Sequence, residues 1–255
     1  MLKLGSLGSG SAGNAFIVQT DQSTVIVDSG FSARELCNRL SARGLSPNDV
    51  NAILVTHEHA DHASGVVPFA EKFDKPVWCT HGTWSSARGF RALSKINLIR
   101  DYSPFEIEDL IVTPFPVPHD AREPSQFVFS DGIKKFCILT DLGMSTPHVL
   151  QLLKGCHAIM LEFNHDVRML WDSTYPMPLK SRIAGKFGHL SNDSAVSILR
   201  NVISDNLQLV IAGHLSDSNN DEKLVLQLLS GILDDKRVDY AIADQQYGSE
   251  LIELQ

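Results

Sequence analysis

Between Thr56 and His62 the chain places four metal-capable side chains, His57, His59, Asp61 and His62, within six residues. The residues before them, Ala52 to Val55, read as a short buried strand. Those after, Ala63 to Phe73, carry apolar residues at roughly helical spacing. The cluster is therefore expected on the turn at a strand's C-terminal end. His57 and His59 can point toward one ion there, while Asp61 and His62 turn toward a second. Two adjacent metal ions are a known device for hydrolysis. The pattern differs from the helical HExxH of zinc proteases, because Asp61 stands where the second histidine would be. A surface turn that is merely rich in histidine is the plainer alternative. It does not explain four donor side chains in so short a span directly after a buried strand.

His-x-His-x-Asp-His after an apolar strand resembles the signature of the metallo-β-lactamase-fold hydrolases. That resemblance implies an α/β architecture, a four-layer αββα sandwich, with a binuclear site at the edge of two facing sheets. It also requires a further histidine, a bridging aspartate and a last histidine, in that order. His119 follows the apolar run ending at Val117, Asp141 closes the run Phe136–Thr140, and His214 follows Leu207–Ile211. The family thus implies one metal on His57, His59 and His119, and another on Asp61, His62 and His214. Asp141 would be shared, as suits a hard oxygen donor between divalent ions. Zinc and manganese are both compatible with this set. Asp28, in Val27-Asp28-Ser29-Gly30, has two readings, a cap for the helix beginning near Ser32 or a support behind the metal ligands. The resemblance favours the support.

The totals agree with a packed enzyme. Of 255 residues, 43% are hydrophobic, enough for one large core, and no linker, repeat or low-complexity tract interrupts the order. One domain over residues 1–255 is expected. Four cysteines lie on apolar segments without CxxC spacing, which fits reduced thiols in a cytoplasmic protein better than an exported disulfide framework. Met1 to Asn14 has no apolar core of a signal peptide, and no apolar run approaches the length of about 18 residues needed to span a membrane. The net charge of −8 argues against broad nucleic-acid coating but leaves a nuclease open, since two divalent ions add about +4 locally.

The segments between Asp141 and His214 select among the family's chemistries, which include thioester, lactone and phosphodiester hydrolysis. Glu162 ends an apolar strand, and Gly188-His189-Leu190-Ser191 lies downstream. In the branch that processes transfer-RNA 3′ ends, residues at such places form a proton-relay pair. The chain more closely resembles a small bacterial group of metal-dependent exonucleases, the YycJ/WalJ-like proteins. The likeness runs through Gly8–Asn14, Thr56–His62, Pro118–Asp120, Thr140–Gly143, Leu161–Asp166, Tyr175–Ile183, Gly188–Asn192 and Gly213–Ser216. Phe163 departs from it, standing where a smaller residue is familiar.

This implies a 5′-to-3′ exonuclease on DNA, with RNA a second candidate substrate, acting through a hydroxide between the metals. Asp61 would orient the nucleophile and His189, held by Glu162, would be the general acid. Lys180, Arg182 and Lys186, with Ser191 and Asn192, are candidate backbone contacts. A solvated helix face accounts for those three cations almost as well, and Ser191 or Asn192 can also cap the following helix. Arg88, Arg91, Lys95 and Arg100 read as a solvated face. A thioester or lactone hydrolase, or a non-catalytic binding protein of the same fold, are the competing functions. The second is disfavoured because every expected ligand position is filled.

Overall fold

Short apolar runs without polar alternation are expected where both faces of a strand are covered. The computed structural model describes residues 1–255 and places most of its strands in that situation. In the first sheet β1 (Lys3–Gly8), β2 (Ala15–Gln19) and β3 (Thr24–Val27) run antiparallel. To β3 are added, in parallel, β4 (Ala52–Leu54), β5 (Val77–Cys79) and β6 (Ile96–Leu98). The second sheet repeats this plan. β7 (Phe105–Ile107), β8 (Leu110–Pro116), β9 (Ser125–Ser130) and β10 (Lys135–Leu139) are antiparallel, and β11 (Ala158–Glu162), β12 (Leu209–Gly213) and β13 (Asp239–Ile242) continue parallel to β10. The last strand, β14 (Ile252–Glu253), pairs with β1, so each sheet has seven strands.

The period of two sorts the side chains into layers. Phe16, Val18, Val25, Val27 and Leu54 point inward and meet Phe127, Phe129, Phe136, Ile138, Met160 and Ile211 of the opposite sheet. Their neighbours Ile17, Ile26 and Ile53 point outward, against α1 (Ala33–Ser41) and, beyond the short α2 (Ala60–Ala63), α3 (Val66–Phe73). α4 (His81–Ser86) extends that face. On the other side Leu139, Ile159, Leu161 and Val210 meet α5 (Pro147–Leu153), α8 (Asn192–Val202) and α9 (Glu222–Leu233). The result is the αββα order of layers. Two further helices, α6 (Val167–Asp172) and α7 (Met177–Ile183), form a flap between β11 and α8. No helix is long and apolar enough to cross a membrane. All four cysteines are free, and Cys79, Cys137 and Cys156 are buried.

Several local expectations are corrected. The helix anticipated from Ala63 to Phe73 is broken at Gly65, whose N–H donates to Ser29 O at 2.7 Å. A side chain at Gly65 would fall 1.7 Å from Phe31 O, so the chain turns there and α2 becomes a separate turn carrying Asp61 and His62. α5 is capped by Thr146, because Pro147 takes the first helical position and the cap must directly precede it. β6 is a three-residue, mostly half-exposed strand and α6 a six-residue helix, both too short to leave a periodic signal. Phe163 is fully buried in the outer core.

Close backbone contact fixes the metal turn against the first sheet. A methyl group at Gly30 would lie 1.9 Å from Asp61 O. Gly30→Ala is therefore expected to cost about 1–3 kcal/mol, the scale of overpacking, and to displace the turn. Gly231, inside α9 with nothing near its Cβ position, should gain up to about 1 kcal/mol on mutation to Ala. Urea unfolding of the two metal-free variants checks both signs.

Candidate metal centre

The site forms where strands of both sheets end on one edge. Asp28 directly follows β3, His57 lies just beyond β4, His119 beyond β8, Asp141 beyond β10, Glu162 closes β11 and His214 follows β12. Asp28, Asp141 and His214 have φ of 61°, 52° and 55°. Such left-handed conformations cost non-glycine residues roughly 1–3 kcal/mol each and persist only where surroundings impose them. Here they turn three side chains abruptly from strand into site.

Asp28 lies behind His57 and His62 and does not cap the helix. That cap is Ser32, which accepts from Glu35 N–H. Fully buried, the Asp28 carboxylate accepts from Thr56 N–H, from the Thr56 hydroxyl and from His62 Nδ1–H, each at 2.8 Å. The Thr56 hydroxyl has one proton and gives it to Asp28, so at 2.9 Å it must accept from His57 Nδ1–H. His119 Nδ1 donates to Gly188 O at 3.1 Å, and His214 Nδ1 to Glu162 Oε1 at 2.8 Å. In its neutral form each of these four imidazoles therefore carries its lone pair on Nε2.

Those lone pairs converge. The donor atoms of His57, His59 and His119 lie within 4.8 Å of one another, as do those of Asp61, His62 and His214. Asp141 groups with His57 and His62 on one side and with His214, Glu162 and His189 on the other. His62 Nε2 is 2.9 Å from Asp141 Oδ2 and 3.1 Å from Asn14 Nδ2, and His57 Nε2 and Asp141 Oδ2 are buried without hydrogen-bond partners. Buried, unpaired acceptors facing each other are costly, and divalent cations remove that cost. The residues present fit metal ions.

The electrostatics point the same way. Burial pushes the Asp141 carboxyl up, but His214 and His62 beside it hold it well below the usual range. Burial pulls His214 down, yet Asp141, Asp61 and Glu162 raise it to about 10. A field that retains a proton on a buried imidazole also favours a cation in its place.

Glu162 joins the metal donors to a second group. Its Oε1 accepts from His189 Nδ1–H and His214 Nδ1–H, both at 2.8 Å, and its Oε2 accepts from Leu142 N–H and Leu190 N–H at 3.0 Å. Burial raises its carboxyl, but the two imidazoles bring it to about 2. His189, with 22% of its side chain exposed, lines a cleft of about 340 Å³ beside Asp61, Asp141 and His214.

The basic residues separate in space. Arg182 lines the cleft, its Nε donating to Asp120 at 2.5 Å. Lys186 is exposed and not part of the cleft wall. Lys180 is buried, and its ammonium donates to Trp171 O and Ser173 O at 2.6 Å. This corrects the expectation of a backbone contact, since that charge is committed to holding α6 and α7 together. Asn192 is corrected likewise, because its buried amide is exchanged with that of Asn220. Ser191 accepts from Ser194 N–H as the cap of α8. Asp166 caps α6, and His165 is buried with Nδ1 3.3 Å from Asn164 Oδ1.

Two features escaped the sequence reading. Tyr175 lines the cleft from the loop before α7, with no spacing signal to mark it. Asn14, at the end of the glycine loop, is fully buried. Its Oδ1 accepts from Ser9 Oγ–H and Gly10 N–H, and its main-chain N–H donates to Asp61 O at 2.8 Å. An asparagine closing a glycine-rich run was the available clue.

The chain matches the family model of the metallo-beta-lactamase superfamily over residues 8–214, and it belongs to that family. It is 33% identical over 238 residues to the exodeoxyribonuclease YycJ of Bacillus anthracis, covering 90% of this chain and 88% of that one. With the exodeoxyribonuclease WalJ of Streptococcus pneumoniae it shares 32% over 228 residues, 87% of this chain and 84% of the other. Among solved structures, the metallo-beta-lactamase fold protein YhfI of Bacillus subtilis superposes with a TM-score of 0.75 at 13% identity, covering 99% and 100% of the two chains. That likeness is one of fold.

Two outcomes follow from the supports. Asp28→Ala should weaken metal affinity by about 10–100-fold, the usual effect of losing a carboxylate behind a ligand, read by titration of metal into stripped protein. Lys180→Ala should lower stability by about 1–3 kcal/mol, because Trp171 O and Ser173 O lose their buried donor. Denaturant melts check this, and the metal content of that variant should be unchanged.

Proposed function

We propose that this chain is a binuclear metal-dependent phosphodiesterase that trims DNA from its 5′ end, with RNA a candidate second substrate. The carrying observation is the Glu162–His189 pair set directly against the metal donors. Hydrolysis of a thioester or lactone has little need of a separate acid held so close. A departing sugar alkoxide does. The exodeoxyribonuclease names of the two relatives support the same reading.

His57, His59 and His119 would hold one divalent ion, Asp61, His62 and His214 the other, with Asp141 between them. Zinc suits the nitrogen-rich set and manganese the carboxylates. Bound there, such ions supply Lewis acidity that activates water and balances charge on the phosphate. The chain's own groups do the rest. Asp61, with an oxygen 3.4 Å from His62 Nε2 and 3.5 Å from His214 Nε2, is placed to orient the attacking group. Glu162 keeps Nδ1 of His189 protonated, leaving Nε2 to carry the proton given to the leaving oxygen. Arg182, steadied by Asp120, offers its remaining N–H groups to a phosphate across the cleft. The cleft's size favours one nucleotide at a time over an intact duplex.

Digestion of end-labelled DNA and RNA by stripped protein resupplied with zinc, manganese or magnesium tests substrate, polarity and metal together. Thioester or lactone turnover without nuclease activity would overturn the proposal. In the same assay His189→Ala should retain both metals and lose roughly two to four orders of magnitude in rate. Loss of metal from that variant would make His189 a ligand instead.

A further inference from the structure

A second hollow, of about 510 Å³, opens on the far side of the metal turn, and Ala60 belongs to the wall of both spaces. A chain leaving the metal cleft across Ala60 would enter it. Ala63, Val67 and Pro68 give it an apolar floor in composition, and Glu58, Ser64 and Arg88 are the polar residues of its lining. Apolar floors with a few polar groups at the edge are the usual make-up of small-molecule and base pockets.

The charged residues of the lining are distinctive. Of the cations that follow α4, Arg91 donates to Ser85 O and Lys95 pairs with Asp74. Arg88 is exposed and has neither an ion pair nor a hydrogen bond within the chain. Glu58 gives one oxygen to Arg122 N–H at 2.8 Å, and its other oxygen has no partner. One charge of each sign leaves the hollow near neutral, so that it does not repel a polyanion as the rest of this acidic chain would.

We propose that this hollow is a second nucleotide subsite, in which Ala63, Val67 and Pro68 carry the base beyond the scissile bond and Arg88 binds the next phosphate. The assignment rests on the nuclease reading and deepens it. An apolar floor accepts any base, because every base offers a flat face. Arg88 adds a phosphate contact that fixes register without reading sequence. The metal-binding turn then sits between two nucleotide positions, with the bond to be cut above it.

The metal-loaded full chain is compared on two substrates, a single-stranded oligonucleotide and a mononucleotide methyl phosphodiester with no second base or phosphate. For Arg88→Ala the KM of the oligonucleotide should rise about tenfold, the scale of one charged hydrogen bond. The slope of log affinity against log salt should fall by about one. Val67→Trp, which fills the floor, should raise the same KM and leave the salt slope as it is. The methyl ester should show neither change. Unaltered oligonucleotide KM in Arg88→Ala, or equal shifts on both substrates, overturns the subsite. A wild-type chain that cuts neither substrate overturns the nuclease reading beneath it.

Discussion

The structure depends on one buried carboxylate. Fully buried, Asp28 receives three hydrogen bonds, and through them it sets the start of the metal turn, the ring of His62 and, by way of Thr56, the ring of His57. Without it two imidazoles would be free to present either nitrogen. With it, both present Nε2 to the same few cubic ångströms. Supporting groups of this kind decide whether a set of potential ligands is a site or only a cluster.

Why the site lies where it does follows from the common plan of the sheets. Each begins antiparallel and finishes parallel, so several strands of each end on one edge. In such sheets the loops beyond the carboxyl ends of parallel strands are the natural place for a ligand. Here two of these edges face each other across a shared apolar core. One contributes the dense metal turn and Asp28. The other contributes single residues at separate strand ends, His119, Asp141, Glu162 and His214. Left-handed backbone at Asp28, Asp141 and His214 lets the strands stop abruptly and still aim their side chains. The local cost is borne by packing on both faces of every strand concerned.

This asymmetry explains what could be read from the sequence. The metal turn was legible because its donors are adjacent along the chain and follow an apolar run. The dispersed donors were legible only as strand-end residues in family order, and the structure brings them into contact range of that turn. The layering was legible from uninterrupted apolar runs. What escaped depended on contacts between distant segments. Nothing in the pattern around Lys180 shows that its ammonium turns inward to two carbonyls, since a lysine on an exposed helix face has the same local sequence. Nor does Asn192 announce its pairing with Asn220, twenty-eight residues away. Tyr175 gains its place from the flap of α6 and α7, whose short helices leave no periodicity to read.

Glu162 carries one more implication. A single oxygen serves both His189 and His214, and the other is occupied by two main-chain donors. The arrangement is a yoke: the group that handles the leaving oxygen and a group that faces the metal pocket hang from one atom, with no spare acceptor to take either load. Neither can be shifted in lineage or in the laboratory without carrying the other along. Divergence toward new leaving groups in this family would therefore have to proceed through the outer wall of the cleft, where Tyr175 and Arg182 are tied to neither.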